Sequence, residues 1–371
     1  MVCVARCCQV GSIESVGRIT RAAMDFAKAY KQCRKSMALG RGIKAVEACL
    51  HRGKHEFDSL QEAKLSCFRD IRGYKIVSSG ECAFFPRDLS EIKVGSGLAW
   101  YRDTFATTEI VLPPYHSFGF LSEYGGKISK SNSEEERYAH ANNMLLEMYT
   151  PPRMADLICG AWSQRITFAQ YQEQLIEAVK AYCLGLYGVA IVGILPCIEG
   201  FLRELGKHVS LPVKDAVNIE TLLKVFHRIK QGELKRLVAG YDWYPDKELT
   251  INYLSRYHER VQMLESMEMY FRGCFYGHTE SLPSHFVLNR HGIAHGFFKG
   301  YATPSNFLRL FNLISLLSFA AILVEGRGSM LQPGVTTDSE ALALNFTKCL
   351  LSRRYVQPNA QSILPSPIIL G

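Results

Sequence analysis

Apolar residues recur every three to four positions through most of this chain, the spacing of one buried face of an α-helix. Ile13, Val16, Ile19, Ala23, Phe26, Tyr30 and Cys33 predict a first helix over residues 12–35, with basic side chains on its other face. Shorter helices are predicted over 42–50 and 60–69. The pattern changes after Gly73. Stretches 74–77, 82–85, 98–101 and 107–112 are short, rich in β-branched and aromatic residues and separated by Gly, Ser, Asp and Pro, so they predict a small β element. Residues 125–133, mixing glycine, lysine and serine, are the best linker candidate. Ser133 then caps a helix opened by Glu134, Glu135 and Glu136, which ends before Thr150-Pro151-Pro152.

From Thr167 the chain is firmly helical. Thr167 and Gln170 have capping-box spacing, and Phe168, Tyr171, Leu175 and Val179 share the face that follows. A helix kinked at Pro196 is predicted to continue through Glu199 and to stop at Gly206. Further helices are expected over 220–237 and 247–272. A long one has Thr303 as N-cap, Pro304 at the first helical position and Gly326 past its end. The expected fold is mainly α: a helical bundle, with an N-terminal helical region and a small β element. The expected organisation is a basic region plus β element over 1–130, the bundle over 131–330, and a helix (339–352) with a flexible tail over 331–371. There is no internal repeat.

Composition supports a globular chain. Of 371 residues, 47% are hydrophobic and 21% charged, ordinary values for a packed core. The most apolar run, 310–324, contains Asn312, Ser315 and Ser318 and falls short of the roughly 20 residues that cross a bilayer. No membrane span is expected. The N-terminus lacks the longer apolar stretch of a secretory signal, so a cytoplasmic location is expected, with the twelve cysteines as thiols. They are scattered without a CxxC pair; Cys3, Cys7 and Cys8 beside Arg6 are candidates for lipidation in a eukaryotic cell. Residues 1–54 carry eleven Lys/Arg against three Asp/Glu, which equals the net charge of +8 of the whole chain. Such an arm suits a polyanion, nucleic acid first and a membrane surface second, or is an ordinary solvated helix face. Lys224, Arg228, Lys230, Lys235 and Arg236 form a second basic run, read either as an RNA-backbone track or as a solvated face. No Walker loop, dinucleotide fingerprint or Ser-His-Asp elbow occurs, so NTPase, dehydrogenase and serine-hydrolase chemistry have no support.

The segment Leu288-Asn-Arg-His-Gly-Ile-Ala-His-Gly296 has the strongest chemical content. Asn289 is a good N-cap, which would make Arg290 the first residue of a short helix and place His291 and His295 on one face, four residues apart. A helix start supplies positive potential and free N–H groups, and arginine supplies a phosphate fork. The same potential favours a neutral imidazole, the form a general base needs. Glu199, flanked by apolar residues, is a candidate to orient Arg290 or His295. A purely structural role fits the same residues: Asn289 as cap, and Arg290 tied to a carboxylate such as Glu199. A metal held by His291 and His295 with Glu199 or His285 is a third possibility, although no Glu follows the first His as a metalloprotease requires.

Arg290 followed by a polar residue, three more positions and His295 resembles the R-x4-6-H signature of HEPN-domain proteins, many of which are ribonucleases. The helical context of about 165–326 is also similar, and the wording Asn-Arg-His-x-x-x-His-Gly before a long apolar helix looks like an HEPN-like subgroup among bacterial defence-related proteins. The resemblance implies a homodimer whose two motifs form one composite site, and RNA cleavage without metal or cofactor, leaving a 2′,3′-cyclic phosphate. By position it assigns Arg290 to the scissile phosphate, His295 to acid–base catalysis and His291 to the polar slot. It implies a toxin or defence effector, with an inhibitory partner that the sequence does not identify. A non-catalytic module binding RNA, nucleotide or protein is the alternative.

Overall fold

The computed structural model describes residues 24–66, 70–87, 89, 97–213, 217–278, 282, 286–326 and 332–356. Residues 1–23, with three of the eleven basic residues of the N-terminal arm, His285 and the tail after Val356 lie outside them. The chain divides into two compact units. The smaller takes the described chain up to Lys64 together with Arg72–Asp88 and Gly240–Pro245.

In the smaller unit, α1 (Phe26–Lys35), α2 (Ala38–Arg41) and α3 (Ile43–Arg52) precede a sheet of β1 (Ser59–Leu65), β2 (Ile71–Ser78) and β3 (Glu81–Pro86), ordered β1-β2-β3. β2 and β3 are antiparallel, with Tyr74 opposite Phe85 and Ile76 opposite Ala83. Phe26, Tyr30, Cys33, Val46, Leu50, Tyr74, Ile76 and Phe85 make its core. Trp243 returns from far along the chain to join it, its carbonyl accepting from Phe84 N at 2.9 Å and its ring 5.4 Å from that of Phe85.

The larger unit is helical. In chain order it holds α4 (Ala99–Ala106), α5 (Phe118–Ser129), α6 (Glu134–Met148), α7 (Pro151–Asp156), α8 (Ile166–Ala169), α9 (Gln172–Cys183) and α10 (Tyr187–His208). There follow α11 (Ile219–Leu237), α12 (Ile251–Leu254), α13 (Glu259–Tyr270), α14 (Arg290–Ala294), α15 (Pro304–Glu325) and α16 (Thr337–Val356). π-helical turns follow α7 (Leu157–Trp162) and α13 (Phe271–Phe275). The chain is mainly α, as its periodicity predicts. Residues 97–130, grouped by sequence with the basic region, pack in this unit, and α16 packs against α7 and α9.

At the centre is α15. Thr303 caps it, its hydroxyl accepting from Asn306 N at 3.2 Å, and Gly326 ends it in left-handed backbone at φ +63°. By length and composition this 22-residue helix is apolar enough to cross a membrane, but 94% of its most apolar 18-residue stretch is buried within the protein. Its polar residues hold a strap: Asn312 Nδ2 donates to Val111 O at 2.8 Å and Arg309 Nε to Thr108 O at 2.9 Å, while Leu112 N donates to Ser266 Oγ of α13 at 2.8 Å.

That strap corrects one expectation. Residues 107–112 form no strand: 107–109 make a turn, and side chains of α13 and α15 take up Thr108 O, Val111 O and Leu112 N where a sheet partner would. Residues 98–101, also expected as strand, open α4. Residues 60–69, expected as helix, begin instead as β1: pairing with β2 outweighs the helix preference of Gln, Glu, Ala and Lys. The proposed linker over 125–133 is largely α5, where Gly125 lets Trp100 approach so closely that a Cβ would meet its ring at 2.8 Å. Thr167 is no cap; it is buried, with Thr167 N donating to Glu325 Oε1 at 3.1 Å. The single helix expected over 247–272 is broken between Leu254 and Glu259, where Gln262 turns to Leu98 N (2.7 Å) and Ser255 O (3.3 Å). α10 runs two residues past Gly206, whose missing Cβ leaves room for Leu211 O.

Two histidines are expected to make stability depend on pH. Burial, then the charge of a nearby arginine (Arg153 and Arg260 respectively), lowers His116 and His258 from about 6.5 to about 4. A folded value below the unfolded one gives stability that is complete above about pH 6.5 and lost as pH falls towards 4, because the unfolded chain binds the proton first. Urea midpoints at pH 7, 6 and 5 should therefore fall, and His258→Gln should flatten the slope. An unchanged slope in that variant rules out the assignment.

Candidate functional site

The site is assembled by α10, α14 and the chain after the π-turn of α13. Asn289 caps α14 as its residue type requires: Oδ1 accepts from Gly292 N at 2.9 Å. Its amide nitrogen also donates to Cys274 O at 2.9 Å and Gly277 O at 2.8 Å. Asn289 is fully buried and every polar atom of its side chain is used. Its role is to bolt the short helix to the bundle.

Arg290 opens that helix with 31% of its side chain exposed, and Nε donates to Glu199 Oε1 at 2.6 Å. The other carboxylate oxygen accepts from Arg203 Nη2 at 3.4 Å, one turn on along α10. Glu199 therefore stands between two guanidinium groups, oriented as the sequence suggests, and it holds Arg290 by its inner nitrogen. The outer Nη1 lies 3.3 Å from His291 Nδ1. Arginine cannot accept a hydrogen bond, so His291 Nδ1 accepts and the ring proton of the neutral imidazole sits on Nε2. Partial burial, then Arg290 and His295, hold His291 below the usual histidine range against the opposing pull of Glu199.

His291 and His295 are both exposed. The backbone bond from His295 N to His291 O, 3.0 Å, keeps them one turn apart, and their rings lie parallel within 2°, centroids 6.1 Å apart. With only five residues, α14 carries little dipole, and Asn289 occupies one of its free N–H groups. The positive potential here comes mainly from Arg290 and Arg203.

Among the described residues, no three of His, Cys, Asp and Glu gather where they could hold a metal ion. Glu199 spends both oxygens on arginines. The basic run of α11 divides in two: Lys224, Arg228 and Lys235 face solvent, whereas Lys230 pairs with Glu268 at 2.9 Å. Arg236 pairs with the buried Glu233 and donates to Leu323 O at 2.8 Å. Three of the five remain available to a polyanion.

Two neighbours escape sequence reasoning. Arg203 had a signal that could have found it, its i+4 spacing from Glu199 on one helix. Tyr276 had none; it follows the π-turn, near enough to Glu199 and Arg290 for both to act on it, with burial the largest cause of its raised pKa. Its buried hydroxyl has no hydrogen-bond partner.

The arrangement can bind an anion and move a proton on one solvent-facing turn. No protein-family model, curated protein or solved structure matches the chain, so the likeness to HEPN proteins rests on the Arg290–His295 motif and its helical setting alone.

Proposed function

We propose that this chain is a metal-independent endoribonuclease of HEPN type, working as a homodimer in the cytoplasm and suited to a toxin or defence role. The observation that carries the reading is the convergence of an anchored guanidinium and two exposed imidazoles on the short turn 290–295. Arg290 binds the scissile phosphate with the nitrogens that Glu199 leaves outward. His295 removes the proton of the RNA 2′-hydroxyl, whose oxygen attacks the adjacent phosphorus. The bond from phosphorus to the 5′-oxygen breaks, and that oxygen takes a proton from a second imidazole, in the dimer the other protomer's copy. His291 Nε2–H donates to a phosphate oxygen.

Purified protein incubated with a single-stranded RNA is expected to yield 2′,3′-cyclic phosphate and 5′-hydroxyl ends at an unchanged rate in excess EDTA. Loss of cleavage on chelation, or 3′-hydroxyl products, rejects this chemistry.

A second reading, a non-catalytic module that binds RNA, nucleotide or protein, is favoured by the full engagement of Asn289 and the Glu199–Arg290 pair. It expects binding without cleavage in the same assay.

A further inference from the structure

The turn closing α14 leaves one aromatic side chain in solvent at the edge of the site: Phe297 is 69% exposed. Its outward direction is imposed by its neighbours. Gly296 adopts left-handed backbone at φ +71° and ends the helix. Phe298 N then donates to Gly292 O at 3.1 Å, and the Phe298 ring sits so close to Gly292 that a Cβ there would meet it at 2.4 Å. With Phe298 anchored inward, Phe297 is held out.

An isolated exposed aromatic residue needs no explanation. This one continues a row. Its ring lies 5.9 Å from that of His295, tilted by 35°; His295 is parallel to His291, and His291 touches the Arg290 guanidinium. A flat apolar surface thus stands beside a proton-transfer group and a cation. The ligand that presents a flat π-face and an anion in succession is a nucleotide. In a duplex that face is already stacked on its neighbours, whereas an unpaired base can be laid on a protein ring.

We propose that Phe297 is a stacking platform for an unpaired base, which makes single-stranded RNA the substrate class of the site. This rests on the phosphate-handling role given above to Arg290.

The test uses the full chain and binding alone. A fluorescein-labelled oligodeoxyadenylate of about a dozen nucleotides is compared with an abasic strand of the same length and phosphate count. Neither strand has a 2′-hydroxyl, so neither is a substrate for cleavage. The base-bearing strand should bind about tenfold or more tightly, within the range of one stacked base. That ratio should collapse towards one in Phe297→Ala and return in Phe297→Trp, whose emission should be quenched on binding. A blunt hairpin of equal length should compete poorly. Equal binding of both strands, binding of neither, or an unchanged ratio in Phe297→Ala overturns the proposal. Base preference without RNA cleavage would leave the platform standing and remove the nuclease; cleavage without base preference would do the reverse.

Discussion

Arg290→Ala and His295→Ala are each expected to cut RNA cleavage by about 10²- to 10⁴-fold, the usual range for loss of an electrostatic stabiliser or a general acid–base group. The fold should survive both. His295 is exposed, and removing Arg290 does not strand its partner, since Glu199 keeps Arg203. Melting temperatures within a few degrees of wild type, with cleavage lost, would assign these residues to chemistry. Arg290→Lys should remain poor: an ammonium keeps the charge but cannot bind Glu199 and a phosphate through separate edges of one plane. If the alanine variants unfold, Arg290 belongs to the scaffold. If they fold and cleave normally, the reaction takes place elsewhere or not at all.

Asn289→Ala is expected to be the most destabilising change near the site. The carboxamide satisfies one N–H and two carbonyls in a fully buried position. At about 1 kcal/mol for each lost bond, with the stranded backbone groups adding to this, the cost is about 3–4 kcal/mol. Thermal unfolding should move down by roughly 4–7 °C on that figure, given an unfolding entropy of about 2 cal/mol/K per residue. Asn289→Asp should fare no better, because it keeps the acceptor for Gly292 but turns a carboxylate towards two carbonyl oxygens. A loss below about 1 kcal/mol in Asn289→Ala would mean that α14 is not bolted down as described.

Much of the larger unit was readable from local signals. Thr303, Pro304 and Gly326 mark α15 because cap chemistry acts within a turn of the residue that supplies it. Ser133 marks the start of α6 for the same reason, and Asn289 that of α14. The Arg290–Glu199 pair was also legible, because Glu199 is a carboxylate among apolar residues and so points to a partner. What failed were segments whose conformation is decided by chain outside them, near or far. The helix-favouring composition of β1 yields to its neighbour in the sheet, and the β-favouring composition of 107–112 yields to Asn312 and Arg309. Tyr276 and Phe297 could not be placed either, because a π-turn and a left-handed glycine set their directions. Spacing alone did not distinguish Lys230 and Arg236, which turn to Glu268 and Glu233, from the solvent-facing Lys224, Arg228 and Lys235.

The strap at 107–112 bears on how the chain is made. Thr108 O and Val111 O are satisfied by side chains 201 positions later. A ribosome therefore releases Ile110, Val111 and Leu112 long before the helix that will cover them exists. Until α15 emerges these apolar residues need shelter, and the bundle closes only once that helix has been made. α14 and α15 leave the ribosome almost together, so the turn 290–295 takes its place only when the cover of the strap does.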